Sequence, residues 1–198
     1  MSMLGALLPL LASVLVTPDV DGPFLMRLNG GFGSVVMIEL FVAPDRTIEA
    51  CRVVYSNYTE AGNRRICQQA RRGKASVVAR DVDGNPVHGF VTVGRIARVA
   101  GSRPSESPSI LEPAYLEVGV EDLPGRDVRK AVHVAVLADA EGTVSHCEGQ
   151  SQSEPAFARI ACQQLAGHRL PVMHDRTGAA VPYVKALRVD FVEEPAGS

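Results

Sequence analysis

Apolar and polar residues alternate with period two in two separated runs. Val36, Ile38 and Leu40 alternate with Val35, Met37, Glu39 and Phe41, and Val132, Val134 and Val136 alternate with Ala131, His133 and Ala135. Period two predicts strands with one face on a core. Each run reaches a turn, Pro44-Asp45-Arg46 or Ala140-Glu141-Gly142, and enters a second strand, Thr47–Cys51 or Thr143–Cys147. Two hairpins with the same punctuation are expected.

The period then lengthens. Phe157, Ile160, Ala161 and Leu165 fall at i, i+3, i+4 and i+8, an amphipathic helix stripe. Ser153-Glu154-Pro155 offers a cap and a first-turn proline, and Gly167 offers a stop. In the earlier copy Thr59-Glu60 opens the helix, Ile66 and Ala70 mark its inner face and Gly73 ends it. Polar turns follow at Asp81–Pro86 and Asp175–Gly178, and closing strands lie near Phe90–Ala97 and Tyr183–Val192. The fold class this predicts is α+β: two tandem β-β-α-β units, each a small antiparallel sheet covered by one helix. Residues 30–100 form the first unit, 101–113 (GSRPSESPSILEP) a linker, and 114–195 the second, with an extra strand within Tyr115–Leu123.

The four cysteines fall on matched places in the two copies. Cys51 and Cys147 end second strands; Cys67 and Cys162 lie mid-helix, with fifteen and fourteen residues between the members of each pair. A unit of 70–80 residues has a thin core. Closing a loop of about fifteen residues contributes ~3 kcal/mol in the chain-entropy account. The duplication selects Cys51–Cys67 and Cys147–Cys162, since each unit is then stapled by itself. Four reduced thiols are one alternative. A zinc site from His146, Cys147, Cys162 and His168 is another, although neither pair has the short spacing of structural zinc sites. No C-x-x-C redox motif is present.

Composition narrows the function classes. The 198 residues are 46% hydrophobic and 21% charged, with a formal charge of −2, so a globular chain is expected without a basic field for nucleic acid. Arg64, Arg65, Arg71, Arg72 and Lys74 give a basic helical face without interleaved aromatics. Residues 3–16, MLGALLPLLASVLV, are almost wholly apolar yet too short to span a bilayer, so residues 1–20 read as a signal peptide and the protein as exported. Asn29–Gly33 reads as a flexible entry, since it precedes a strand rather than joining strand to helix. No nucleophile elbow, H-E-x-x-H helix or phosphate loop occurs. No cofactor is expected.

The segments VMIELFVAPDRTIEACRVV, RRICQQARR and DVDGNPV, and later VHVAVLADAEGTVSHCEG and ARIACQQLAGHRLPV, carry a resemblance. Their order resembles the C-terminal domain of TonB and TolA-like envelope proteins, in the variant with one cysteine on the second strand and another in the helix. The resemblance covers nearly all of residues 33–98 and 130–192. It implies a periplasmic interaction module that is not an enzyme, whose partner is a protein or peptide of the cell envelope such as an outer-membrane transporter segment. Such a partner adds a strand to an open sheet edge. Carried onto this chain, the edge residues are Tyr183, Lys185, Leu187 and Val189 in the second unit and Phe90 and Thr92 in the first. The long spacer of an energy transducer is lacking, so a TonB-like module without motor coupling is expected, with a homodimer as a further option. The competing class is an enzyme or metal-binding protein, its site assembled from His146 and His168 with Asp139 or Asp175.

Overall fold

The structure, a computed structural model, describes residues 15–20, 35–96, 113–124, 128–150 and 153–194. The linker at 101–112, the Asn29–Gly33 segment and residues 1–14 lie outside them. In the first half, β1 (Val35–Val42) and β2 (Ile48–Ser56) form a hairpin, followed by α1 (Glu60–Ala70), β3 (Ala79–Arg80) and β4 (Pro86–Ile96). The second half has β5 (Leu116–Val120), β6 (Arg129–Ala138), β7 (Val144–Gly149), α2 (Pro155–Leu165), β8 (Met173–His174), β9 (Ala180–Val181) and β10 (Tyr183–Glu193).

Matched hydrogen bonds build the two halves. Both hairpins carry a bulge at the same place, before Val42↔Ile48 and before Ala138↔Val144. Arg46 and Gly142 take left-handed φ values of 71° and 82° at the turns, and their carbonyls accept from Ala75 N and Leu170 N. Asp81 Oδ1 accepts the N–H groups of Asp83 and Asn85, and Asp175 Oδ1 those of Thr177 and Ala179. The helix starts differ. Thr59 caps α1 by accepting from Gly62 N, whereas the residue at the α2 cap is Glu154, whose side chain makes no capping bond and accepts from Lys130 Nζ instead. Ser153, the expected cap, donates its hydroxyl to the His133 carbonyl and accepts from His133 N instead.

The expected pair of separate small sheets is not what forms. One mixed eight-stranded sheet runs β2-β1-β4-β10-β6-β7, with β3 added to β4 and β5 added to β10. The halves meet at a parallel seam, Tyr183↔His88 and Val184↔Gly89, where the two closing strands pair with each other. The physical reason lies in β10. Both faces are buried, Tyr183, Leu187, Val189 and Phe191 on one and Val184, Arg188 and Asp190 on the other, and a strand buried on both faces belongs inside a sheet. Beyond the seam its far end pairs in parallel with β5, Val189↔Leu116 to Glu193↔Val120.

The helices lie on opposite faces. Ile66 and Ala70 of α1 pack with Val36, Ile38, Leu40 and Val42. Ala158, Ala161 and Leu165 of α2 pack with Val132, Val134, Val136 and Ala138. Paired residues share a side, so Leu40 continues through Val91, then Gly89 to Val184 and Leu137, the side of β6 away from Val136. The halves are therefore related by half a turn about an axis along the central strands, which swaps ends and faces while keeping the seam parallel. Gly89 marks a close approach, since a Cβ there would fall 2.5 Å from Ala79 Cβ.

Residues 15–20, inside the segment expected to be a leader, form part of the fold. Leu15 and Val20 are each 5% exposed, and Val16 and Asp19 bridge to Arg80 and Val77. One buried ionic group joins three strands. Asp190, fully buried, accepts from Arg188 at 2.6 and 2.8 Å and from Arg129 at 2.8 Å, while Arg129 also pairs with Glu117 of β5. Burial opposes ionisation of Asp190, but the bonds from Arg188 and Arg129 outweigh it and hold the carboxyl below its ordinary range.

Candidate functional site

Both expected cysteine bridges are present. Cys51–Cys67 ties β2 to α1 and Cys147–Cys162 ties β7 to α2, each with Cα atoms 5.4 Å apart. Two bridges within one chain suit an oxidising, exported compartment. They also occupy Cys147 and Cys162, two of the four residues considered for zinc. His146 instead stands 3.9 Å from Glu148, and His168 lies beside the Tyr115 ring. Among the described residues no three His, Cys, Asp or Glu side chains cluster as a metal set would require. No described helix is long and apolar enough to cross a membrane.

The expected edge residues scatter. Tyr183 is buried in the seam, and Val189 is covered by β5, so β10 is an interior strand rather than an edge. Leu187 is buried in the core around α2. Thr92 pairs with Glu39 across β1–β4. Phe90, Tyr183 and Lys185 do come together, in a cleft of about 320 Å³ with Phe41, Glu39 and Arg52.

The ends of the sheet's main path are β2 and β7, with β3 and β5 attached beside it. Among the described residues nothing pairs along the outer side of β7 beyond Thr143 and Val144, which bond to the Arg169–His168 stretch. Gln150 N donates to His133 O, so alternation turns the N–H and C=O groups of Cys147 and Gly149 outward. Beside that edge runs a groove of about 800 Å³. One wall is β7 from Val144 to Gln150, the other the α2 stripe Pro155, Ala158, Cys162 and Ala166, with Arg159 and Gln163 at the rim. The disulfide is part of the wall and fixes the spacing of strand and helix.

Local sequence explains why the groove opens at this end. Gly149 lets the helix approach, for a Cβ would fall 2.6 Å from Ala158 Cβ. Ala166 leaves the far end clear. At the matched place in the first half stands Arg71, and the space beside β2 shrinks to about 210 Å³, lined by Arg64, Cys67, Gln68 and Arg71. Glu148 points to the other face of β7. Burial pushes its carboxyl up, opposed by a bond from Leu15 N and the charge of His146.

The sequence places a strand at Thr143–Cys147, within which β7 begins, but the resemblance assigned the binding edge to the closing strands instead. A signal existed in Ser145, His146 and Glu148, since polar and charged side chains along a short strand are how exposed edges are kept from indiscriminate pairing. No known protein family, no curated protein and no solved structure matches this chain.

Proposed function

We propose that the chain is an exported, periplasmic protein-interaction module, TonB-like in its manner of recognition, that takes up an extended peptide from an envelope partner as an added strand along β7. The observation that carries this reading is the outer side of β7 from Ser145 to Gly149, which pairs with nothing among the described residues and faces a groove of about 800 Å³ beneath α2. The five residues Ser145–Gly149, beyond the Val144–His168 bond, give about 17 Å of edge at ~3.4 Å each, room for a peptide of four or five residues. Main-chain bonds to Cys147 and Gly149 supply affinity, and small pockets over Ala158, Cys162 and Ala166 select alternate side chains of modest size.

The test is a random dodecapeptide phage library panned on the oxidised protein, followed by amide hydrogen exchange with the best peptide. Slowed exchange at Cys147 and Gly149, with binding lost in Ala166→Arg, supports the reading. Selected peptides that protect other strands, or that bind Ala166→Arg equally well, refute it.

A further inference from the structure

The half-turn that relates the two halves also relates two concavities, one on each face, and among the described residues only one of them is filled. On the α1 face, Leu15 is buried against Ala79, Ala135 and Val184, with Leu137 beside it. Its N–H bonds the Glu148 carboxylate, and Val16 forms a backbone bridge with Arg80. The matching positions on the other face are Met173 for Ala79, Glu39 for Ala135, Phe90 for Val184, Phe41 for Leu137 and Arg52 for Glu148. Those five residues line the cleft of about 320 Å³.

We propose that this cleft is a second peptide seat, for a short extended segment of a partner protein in which an acidic residue directly precedes an apolar one. Leu15 shows the mode. An apolar side chain rests on the surface that Phe41 and Phe90 make together, their rings in contact with centroids 4.9 Å apart and Tyr183 edge-on to both. Where Leu15 N–H meets a carboxylate at Glu148, the incoming chain meets the Arg52 guanidinium, so an acceptor is required at that point. The lining charges agree: Arg52 and Lys185 are two cations and Glu39 one carboxylate, leaving one positive charge. Lys185 is held by Glu39 and by the Phe90 ring, 4.5 Å from its centroid; Arg52 Nη2 also donates to Glu39 at 2.8 Å, but its side chain is 71% exposed and keeps further guanidinium donors for a ligand.

The backbone sets the length. Asp175 N donates to Ala179 O, which turns the N–H and C=O of His174 outward, as those of Arg80 turn toward Val16. The counterpart of the second bridge, Asp19–Val77, is not available. Pro171 has no N–H, and its carbonyl accepts from the Tyr183 hydroxyl at 2.9 Å. The seat therefore offers one backbone pair, one apolar pocket and one cation.

The experiment measures fluorescently tagged acetyl-ELVT-amide and acetyl-KLVT-amide binding to the full oxidised chain. Saturable binding of ELVT at least tenfold tighter than KLVT is expected. Arg52→Gln should erase the preference and Arg52→Glu should reverse it, with ELVT slowing exchange of the His174 amide. Ala166→Arg, at the β7 groove, should leave ELVT binding unchanged. Equal binding of the two peptides, an unreversed preference in Arg52→Glu, or ELVT binding lost in Ala166→Arg overturns the proposal.

Discussion

Leu15→Ala separates a residue of the fold from a residue of a discarded leader. Leu15 is 5% exposed in a cluster whose other buried members are Ala79, Ala135 and Val184. Two of those three are alanines, too short to close a void, so the loss is a transfer term plus a cavity term. The methyl and methylene groups removed carry about 2 kcal/mol at ~0.8 kcal/mol per buried CH₂, and buried Leu→Ala changes run from about 2 to 5 kcal/mol. The lower part of that range, about 2–3 kcal/mol, is the expected loss. In a chain of 198 residues each kcal/mol moves Tm by roughly 2–4 °C, giving a drop of about 5–10 °C. The assay is urea unfolding of the oxidised protein followed by circular dichroism, with m unchanged. Deleting residues 1–20 should cost at least as much as Leu15→Ala, since Val20 and the bridges to Arg80 and Val77 go too. A loss below about 0.5 kcal/mol for Leu15→Ala, within the range of an ordinary surface change, would refute the packing and remove the template for the second seat.

Replacing Cys147 and Cys162 together with serine should lower stability by about 3 kcal/mol in the chain-entropy account, and the Cys51/Cys67 pair by nearly the same, since the sequence separations are 15 and 16; denaturant titration of both double variants checks this. Asp190→Asn should cost about 3–5 kcal/mol by leaving the buried Arg188 short of its carboxylate, measured by the same titration. The pH profile gives a second readout. A carboxyl held low in the fold stabilises fully above its unfolded value near 3.8 and loses that contribution as pH falls through the lower folded value, so the acid limb should flatten in Asp190→Asn. Gly142→Ala should cost about 2 kcal/mol or more, because φ is 82° and a Cβ would lie 2.3 Å from Leu170 O, whereas Arg46→Gly at the matched turn should change thermal stability by less than about 1 kcal/mol.

The local elements were legible in the sequence. Period two at Val36–Leu40 and Val132–Val136, period 3.6 at Phe157–Leu165, and turn residues at Asp81 and Asp175 each depend on neighbours a few positions away. The cysteine pairing was legible because duplication ties each pair to one hairpin and one helix. The seam was not, since His88 and Tyr183 lie far apart in sequence and no local preference encodes their meeting. Its trace is the burial of β10 on both faces, Val184 and the Arg188–Asp190 pair lying opposite Leu187, Val189 and Phe191, which a reading of one copy at a time treats as a half-buried edge. Ser153 failed as a cap for a related reason: its hydroxyl serves a strand twenty residues earlier. The β7 groove depends on Gly149 and Ala166, whose meaning emerges only beside Val53 and Arg71 in the other copy.

A seam of this symmetry could equally be built by two separate chains of a single copy, so the fold is a homodimer written into one polypeptide. Fusion releases such a dimer from sameness. Identical subunits must carry the same residue at both ends, whereas here one end holds Glu148 and Ala166 and the other Arg52 and Arg71. A single covalent chain can thus offer two dissimilar faces at a fixed separation, each altered by mutation without disturbing its twin.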